Sequence, residues 1–232
     1  MNMDSCYFVL MNCRKDTLMK VMMVTDSLGA VRDEYDVEIT WTYKIMDYFS
    51  GAKGVVFFSD IVPGRSIRSI DTSYLANIKP DIVFYQVGIV DCLRRAEPNG
   101  VRLLLQKIPF SNHIKTFLSE NHYLVTKIFD WHISSKTQFS KAICKLDEIG
   151  LNSYFIRIAD SGGVLRDKIY RCQEDIDVYN NLYLDNVKKG MVLDPYMSNK
   201  TEEYKDGHHL SPYGHELVFN VVKDILLDYI YV

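Results

Sequence analysis

Four unbroken apolar runs constrain this chain most: "KVMMVTDS" at 20–27, "GVVFFSD" at 54–60, "DIVFYQVG" at 81–88 and "NSYFIRIAD" at 152–160. A strand with one wet face alternates apolar and polar residues. A continuous run implies burial on both faces, as in a parallel sheet covered by helices. The intervening stretches have helical spacing. "TWTYKIMDYFSGA" carries Trp41, Ile45, Tyr48 and Phe49 and stops at Gly51, a usual helix end. "SIRSIDTSYLANIKP" reads as one helix closed by Pro80, and one or two helices are expected around 111–120 and 134–149. "QEDIDVYNNLYLDNVKKG" reads as a helix with a glycine C-cap, its acidic part (173–186) a solvated face with an apolar stripe. "MVLDPY" is a short fifth strand, and "SPYGHELVFNVVKDILLDYI" a closing helix with Ser211 as N-cap and Pro212 at its first position. The order βαβαβ…αβαβα points to a doubly wound α/β domain.

No internal repeat or low-complexity linker divides the 232 residues, so a single domain over 1–232 is expected. Residues 1–19 form an N-terminal extension, either an extra edge strand or a partner contact. With 47% hydrophobic and 25% charged residues the chain can bury a core. Its net charge is −3 and it has no Lys/Arg block, so no nucleic-acid partner is expected. The five cysteines are scattered without metal spacing, which reads as reduced thiols and a cytoplasmic location. "CYFVLM" follows Asp4 rather than a basic region, so no signal peptide is read. No run reaches the roughly 18 apolar residues of a membrane span. His113, His122 and His132 lack carboxylate or thiol partners at ligand spacing, so neither a metal nor another cofactor is expected. The sixteen tyrosines read as core packing and His215 as a packing or surface residue. "SGGVL" at 161–165 reads as a loop without the flanking pattern of a phosphate-binding turn.

In doubly wound sheets ligands sit beyond the carboxyl ends of the strands. Ser27 ends the first run, "VPGRS" follows the second and "GIVDC" the third, so all three point into one crevice. Ser27 alone could be an ordinary helix N-cap. Far along the chain, "DGHHLSPYGHE" puts Asp206 three residues before His209. A carboxylate so near an imidazole can fix its tautomer and stabilise its cation, and a serine hydroxyl is a weak nucleophile without such a base.

These blocks resemble those of the SGNH/GDSL hydrolases, serine esterases and acyl-transfer enzymes. "TDSL" at 25–28 is similar to the family's Gly-Asp-Ser-Leu, with Thr25 for glycine. "PGRS" supplies the second-block glycine, Gly64. "GIVD" at 88–91 is similar to Gly-x-Asn-Asp, and Asp206/His209 match the last block. The resemblance spans about residues 20 to 225. It implies a three-layer α/β/α flavodoxin-like fold with a central, mostly parallel five-stranded sheet. It also implies a catalytic triad of Ser27, His209 and Asp206, with an oxyanion hole that includes the N–H groups of Ser27 and Gly64. Asp26, Arg65, Val90, Asp91 and His208 are candidate substrate contacts.

Val90 stands where the family has an oxyanion-binding asparagine, and valine donates no hydrogen bond. Three readings follow. Another donor fills the space, with Arg65, Ser66, Arg94 and Arg95 close in sequence to the crevice loops; or two backbone donors support slower chemistry; or the site only binds. The expected function is hydrolysis or transfer of an ester-linked acyl group, plausibly acetyl. A carbohydrate or surface-polysaccharide precursor as substrate is implied by the resemblance of "VGIVDC" to SGNH proteins of polysaccharide synthesis. The alternative is a non-catalytic carbohydrate-binding or assembly protein on the same fold.

Overall fold

The computed structural model describes residues 6–11, 18–30, 36–97, 111–149, 152–196, 207 and 209–231. The apolar runs become five parallel strands: β2 (Met19–Thr25), β3 (Val55–Ile61), β4 (Ile82–Gln86), β5 (Asn152–Ile156) and β6 (Met191–Leu193). They are buried as continuous runs should be: Val21 to Val24 and Ile82 to Tyr85 have no exposed surface. A further strand, β1 (Cys6–Met11), pairs antiparallel with β3. Within the N-terminal extension Cys6–Met11 is therefore an edge strand, and the sheet order is β1-β3-β2-β4-β5-β6.

Among the parallel strands this is the 2-1-3-4-5 order of flavodoxin-like sheets. The chain steps one way from β2 to β3 and the other way from β4 to β5 and β6. Right-handed crossovers then place the connecting helices on opposite faces. On one face α1 (Trp41–Tyr48) packs against α9 (Pro212–Ile230), with Tyr48 edge-on to Phe219 and Lys44 ion-paired to Glu216. On the other, α6 (Lys136–Asp147) packs against α8 (Cys172–Asn186) through Phe139, whose ring meets Tyr179 and Tyr183 edge-on. Also present are α2 (Thr72–Ile78), α3 (Ile89–Cys92), α4 (Ser111–Glu120), α5 (His122–Ile128) and α7 (Gly163–Lys168).

Four boundaries differ from the sequence reading, three of them because a polar side chain intervenes. The single helix expected over 66–79 is a 3-10 turn, Ile67–Ser69, followed by α2. Asp71 accepts the N–H groups of Ser73 (2.9 Å) and Tyr74 (3.1 Å) and so starts a new helix. The strand read to Asp160 stops at Ile156, because the Asn180 amide takes both the N–H and the carbonyl of Ile158. Helix α8 stops at Asn186 instead of Gly190. The Asp147 carboxylate accepts the N–H groups of Lys188, Lys189 and Gly190, each at 2.8 Å, and turns the chain into β6. The stretch 161–165 read as loop runs into α7, with the Gly162 carbonyl accepting from Leu165 and Arg166. Among the described residues no helix is long and apolar enough to cross a membrane.

Candidate active site

The reversal of connection direction between β2 and β4 opens a crevice at their carboxyl ends, where this fold places ligands. Ser27 begins a 3-10 turn there, Ser27–Gly29. The turn is tied to both neighbouring strands. Asp26 donates its N–H to the Gln86 carbonyl and Val62 donates to the Thr25 carbonyl, each at 3.1 Å. The N-cap is Asp26, whose Oδ1 accepts the Leu28 N–H at 2.9 Å. Capping thus falls to the neighbour, and the Ser27 hydroxyl lies 3.1 Å from His209 Nε2. That is hydrogen-bond reach for a nucleophile and its base.

His209 arrives on the segment leading into α9, which Ser211 caps by accepting the Gly214 N–H (3.1 Å). Leu210 anchors this segment in the core. The support on the other side is backbone against backbone. Gly162 donates its N–H to the Gly207 carbonyl at 2.8 Å. A Cβ on Gly162 would stand 2.7 Å from Gly207 Cα. One on Gly207, at φ +91°, would stand 2.7 Å from the Leu165 nitrogen. Only two glycines allow this approach. Asp206 and His208 lie outside the described residues.

Gly64 occupies the third position of a tight turn closed by the Arg65 N–H on the Val62 carbonyl (3.1 Å). Its φ of +75° suits the glycine position of a type II turn. The turn follows β3 and is tied to the last residue of β2, two before Ser27, by the Val62 N–H on the Thr25 carbonyl. Asp91 holds the chain beyond it. Its carboxylate accepts the Ser66 hydroxyl (2.5 Å), the Ile67 N–H (2.8 Å) and the Ser134 hydroxyl. Burial still raises its pKa, against these three bonds.

Val90 is buried on α3, and its carbonyl accepts from Arg95 (3.1 Å). The side chains on the crevice loops that could replace the missing donor are engaged. Arg65 grips Asp60 at 2.7 Å, Ser66 serves Asp91, and Arg94 binds Asp175 at 2.6 Å and Asp130 at 3.0 Å. Asp26 has no exposed surface, and burial pushes its carboxyl up to about 7. The Leu28 N–H opposes this, Asp91 adds to it and Arg65 reduces it. Its Oδ2 makes no hydrogen bond among the described residues.

Several residues of the site escaped the sequence reading. Ser134 supports Asp91 from far along the chain. Gln86 is held by the Trp41 indole (2.6 Å) and donates to the Tyr196 hydroxyl (2.9 Å). Gly162 and Gly207 carry no side-chain signal at all. His215 is a packing residue; it accepts the Trp41 N–H (3.4 Å), and burial, with Lys44 nearby, lowers it to about 4. Among the described residues no group of three or more His, Cys, Asp and Glu could hold a metal ion.

No protein-family model matches the chain, and no curated protein matches it in sequence. Its fold is that of solved α/β hydrolases. LAE5, an alpha/beta hydrolase enzyme from the metagenome of Lake Arreo in Spain, is 13% identical, with 89% of this chain and 94% of that one covered at a TM-score of 0.58. Axe2, an acetylxylan esterase from Geobacillus stearothermophilus, is 12% identical over 89% of this chain and 93% of its own, also at 0.58. Est24, a carbohydrate acetylesterase from Sinorhizobium meliloti, is 12% identical over 91% and 99%, again at 0.58. At these identities the likeness is one of fold.

Proposed function

We propose that the chain is an SGNH-type serine hydrolase or acyltransferase that cleaves or transfers an ester-linked acyl group, acetyl in the first instance, on a carbohydrate. The observation that carries this reading is the 3.1 Å approach of His209 Nε2 to the Ser27 hydroxyl at the carboxyl end of β2. It joins residues 182 positions apart in sequence. The carbohydrate part rests on the motif resemblance and on the fold shared with an acetylxylan esterase and a carbohydrate acetylesterase.

In this mechanism the Ser27 oxygen attacks the ester carbonyl as His209 takes its proton. The tetrahedral intermediate collapses to an acyl-serine, and His209 returns the proton to the departing alkoxide. Water, or an acceptor hydroxyl in a transferase, then repeats the sequence and frees Ser27. Asp206, three residues before the base, is assigned to the other imidazole nitrogen on the sequence spacing. The N–H groups of Ser27 and Gly64 are assigned to the oxyanion. The engagement of Arg65, Ser66 and Arg94 elsewhere favours two backbone donors over a substitute for the missing amide. Asp91 acts by holding the turn after Gly64, and Arg65 by pinning it to Asp60.

A fluorophosphonate probe tests the reading. Intact mass should show one adduct, on Ser27, that is absent in Ser27→Ala and strongly reduced in His209→Ala. No adduct between neutral and alkaline pH would overturn it and leave a carbohydrate-binding protein on a hydrolase fold.

A further inference from the structure

Beside the crevice, over the carboxyl ends of β5 and β6, lies a polar cavity of about 370 Å³ between Arg157, Asp160, Asp177 and Tyr196. A second cavity of about 370 Å³, lined by Tyr123, Tyr170 and Arg171 among others, continues outward over α7 and α8. Both are lined by Arg166 and Gln173, so the two lie end to end across a common wall. We propose that this double cleft binds a polymeric, uncharged glycan. The acylated sugar lies at Ser27 and its neighbours in the chain extend through the two cavities. The inference rests on the esterase reading above and adds the form of the substrate and the place where it binds.

Two contacts tie the first cavity to the catalytic residues. Tyr196 receives the Gln86 amide, and the Gln86 carbonyl holds Asp26, the residue before Ser27. Asp160 is two residues from Gly162, on which the His209 segment leans. A ligand in this cavity is therefore within a short chain of contacts of both nucleophile and base.

The chemistry of the walls selects the ligand class. Gln173 is a hub. Its Nε2 donates to Asp160 and to Asp177, both at 2.9 Å, while its Oε1 accepts from Ser161 (2.9 Å) and Arg166 (3.2 Å). One oxygen of each carboxylate is thereby committed, and the other is left for a ligand donor. Arg157 is paired to Asp194. Over the two cavities four carboxylates stand against three guanidiniums, an excess of negative charge that disfavours a phosphate or any other anion. An acyl chain would cover the remaining carboxylate oxygens and offer them no donor. Hydroxyls that both donate and accept satisfy donors and acceptors held in fixed positions. In the outer cavity Tyr123, 40% exposed, offers a ring edge and face against which a pyranose can pack. Two cavities in series call for more than one sugar.

The experiment compares O-acetylated monosaccharides with O-acetylated tetrasaccharides of glucose, xylose and N-acetylglucosamine. With at least one sugar, kcat/KM should favour the tetrasaccharide tenfold or more. Asp177→Ala and Tyr123→Ala, both at exposed positions, should each reduce that preference to threefold or less. Equal kcat/KM for both lengths of every sugar, or a preference retained in both variants, overturns the proposal. A second measurement needs no turnover. Ser27→Ala titrated with unesterified tetrasaccharides should show NMR shift changes in the Gln173 side-chain amide and the Tyr123 ring. No shift with any of the three also overturns it. Binding with those shifts, but with no fluorophosphonate adduct on the native chain, would sink the esterase reading and leave the glycan cleft standing.

Discussion

The two halves of the candidate catalytic pair are held in contrasting ways. Ser27 sits on a turn bolted to the sheet: backbone bonds join it to β4 and to the chain after β3, and a buried carboxylate caps it. His209 sits on a segment kept in place by a glycine pressed against a glycine and by the cap of a long helix. The nucleophile is fixed by secondary structure and tolerates loss of its own side chain. The base is fixed by a close backbone approach that tolerates no added carbon. Function should therefore be fragile at different atoms on the two sides.

The largest effect is expected at the nucleophile itself. Ser27→Ala should lower p-nitrophenyl acetate turnover by about 10⁴-fold or more and leave the melting temperature unchanged, since the turn does not use the hydroxyl. A large drop in melting temperature would show that the turn is not self-supporting. On the base side, Gly162→Ala should cut kcat by about 10²-fold with little change in KM, because a small displacement of a catalytic group costs that much. Thermal unfolding should change only modestly, and a kcat within threefold of the native value would break the contrast between the halves. The third effect runs the other way. Val90→Asn should raise kcat about tenfold or more, toward the 10²–10³ that one oxyanion donor contributes elsewhere. An unchanged rate would mean that the two backbone donors suffice.

The fourth effect is on stability. The Asp26 carboxyl is at about 7 in the folded chain against 3.8 as its ordinary value. The folded state thus keeps a proton that the unfolded state releases. Asp26 is least costly below about pH 4, and stability falls as pH rises through about 7. Asp26→Asn keeps an oxygen for the Leu28 N–H and removes the charge. Urea unfolding should then show a gain of order 2–4 kcal/mol at pH 8 and almost none at pH 4. Equal gains at both values would place the cost in packing instead of ionisation.

The parts of this arrangement that were legible in the sequence share a reason. Parallel strands buried on both faces leave continuous apolar runs, so β2 to β5 can be read with little ambiguity. Ser27 and His209 can be picked out because their chemistry needs particular side chains at particular strand ends. The helix and strand limits at Asp71, Asp147 and Asn180 could not be read, because each depends on one polar side chain capturing backbone groups. The Gly162–Gly207 contact was invisible for the opposite reason: it is made by the absence of side chains. Ser134 and Gln86 acquire their roles only through tertiary contact.

The antiparallel strand β1 also has a consequence for the order in which the chain folds. Cys6–Met11 precedes β2 and α1 in the chain, but its partner is Val55–Ile61, which is synthesised only after both. Strand β1 is thus obliged to wait. It can dock only once β3 has been made, and it then covers the edge of β3 that β2 leaves open.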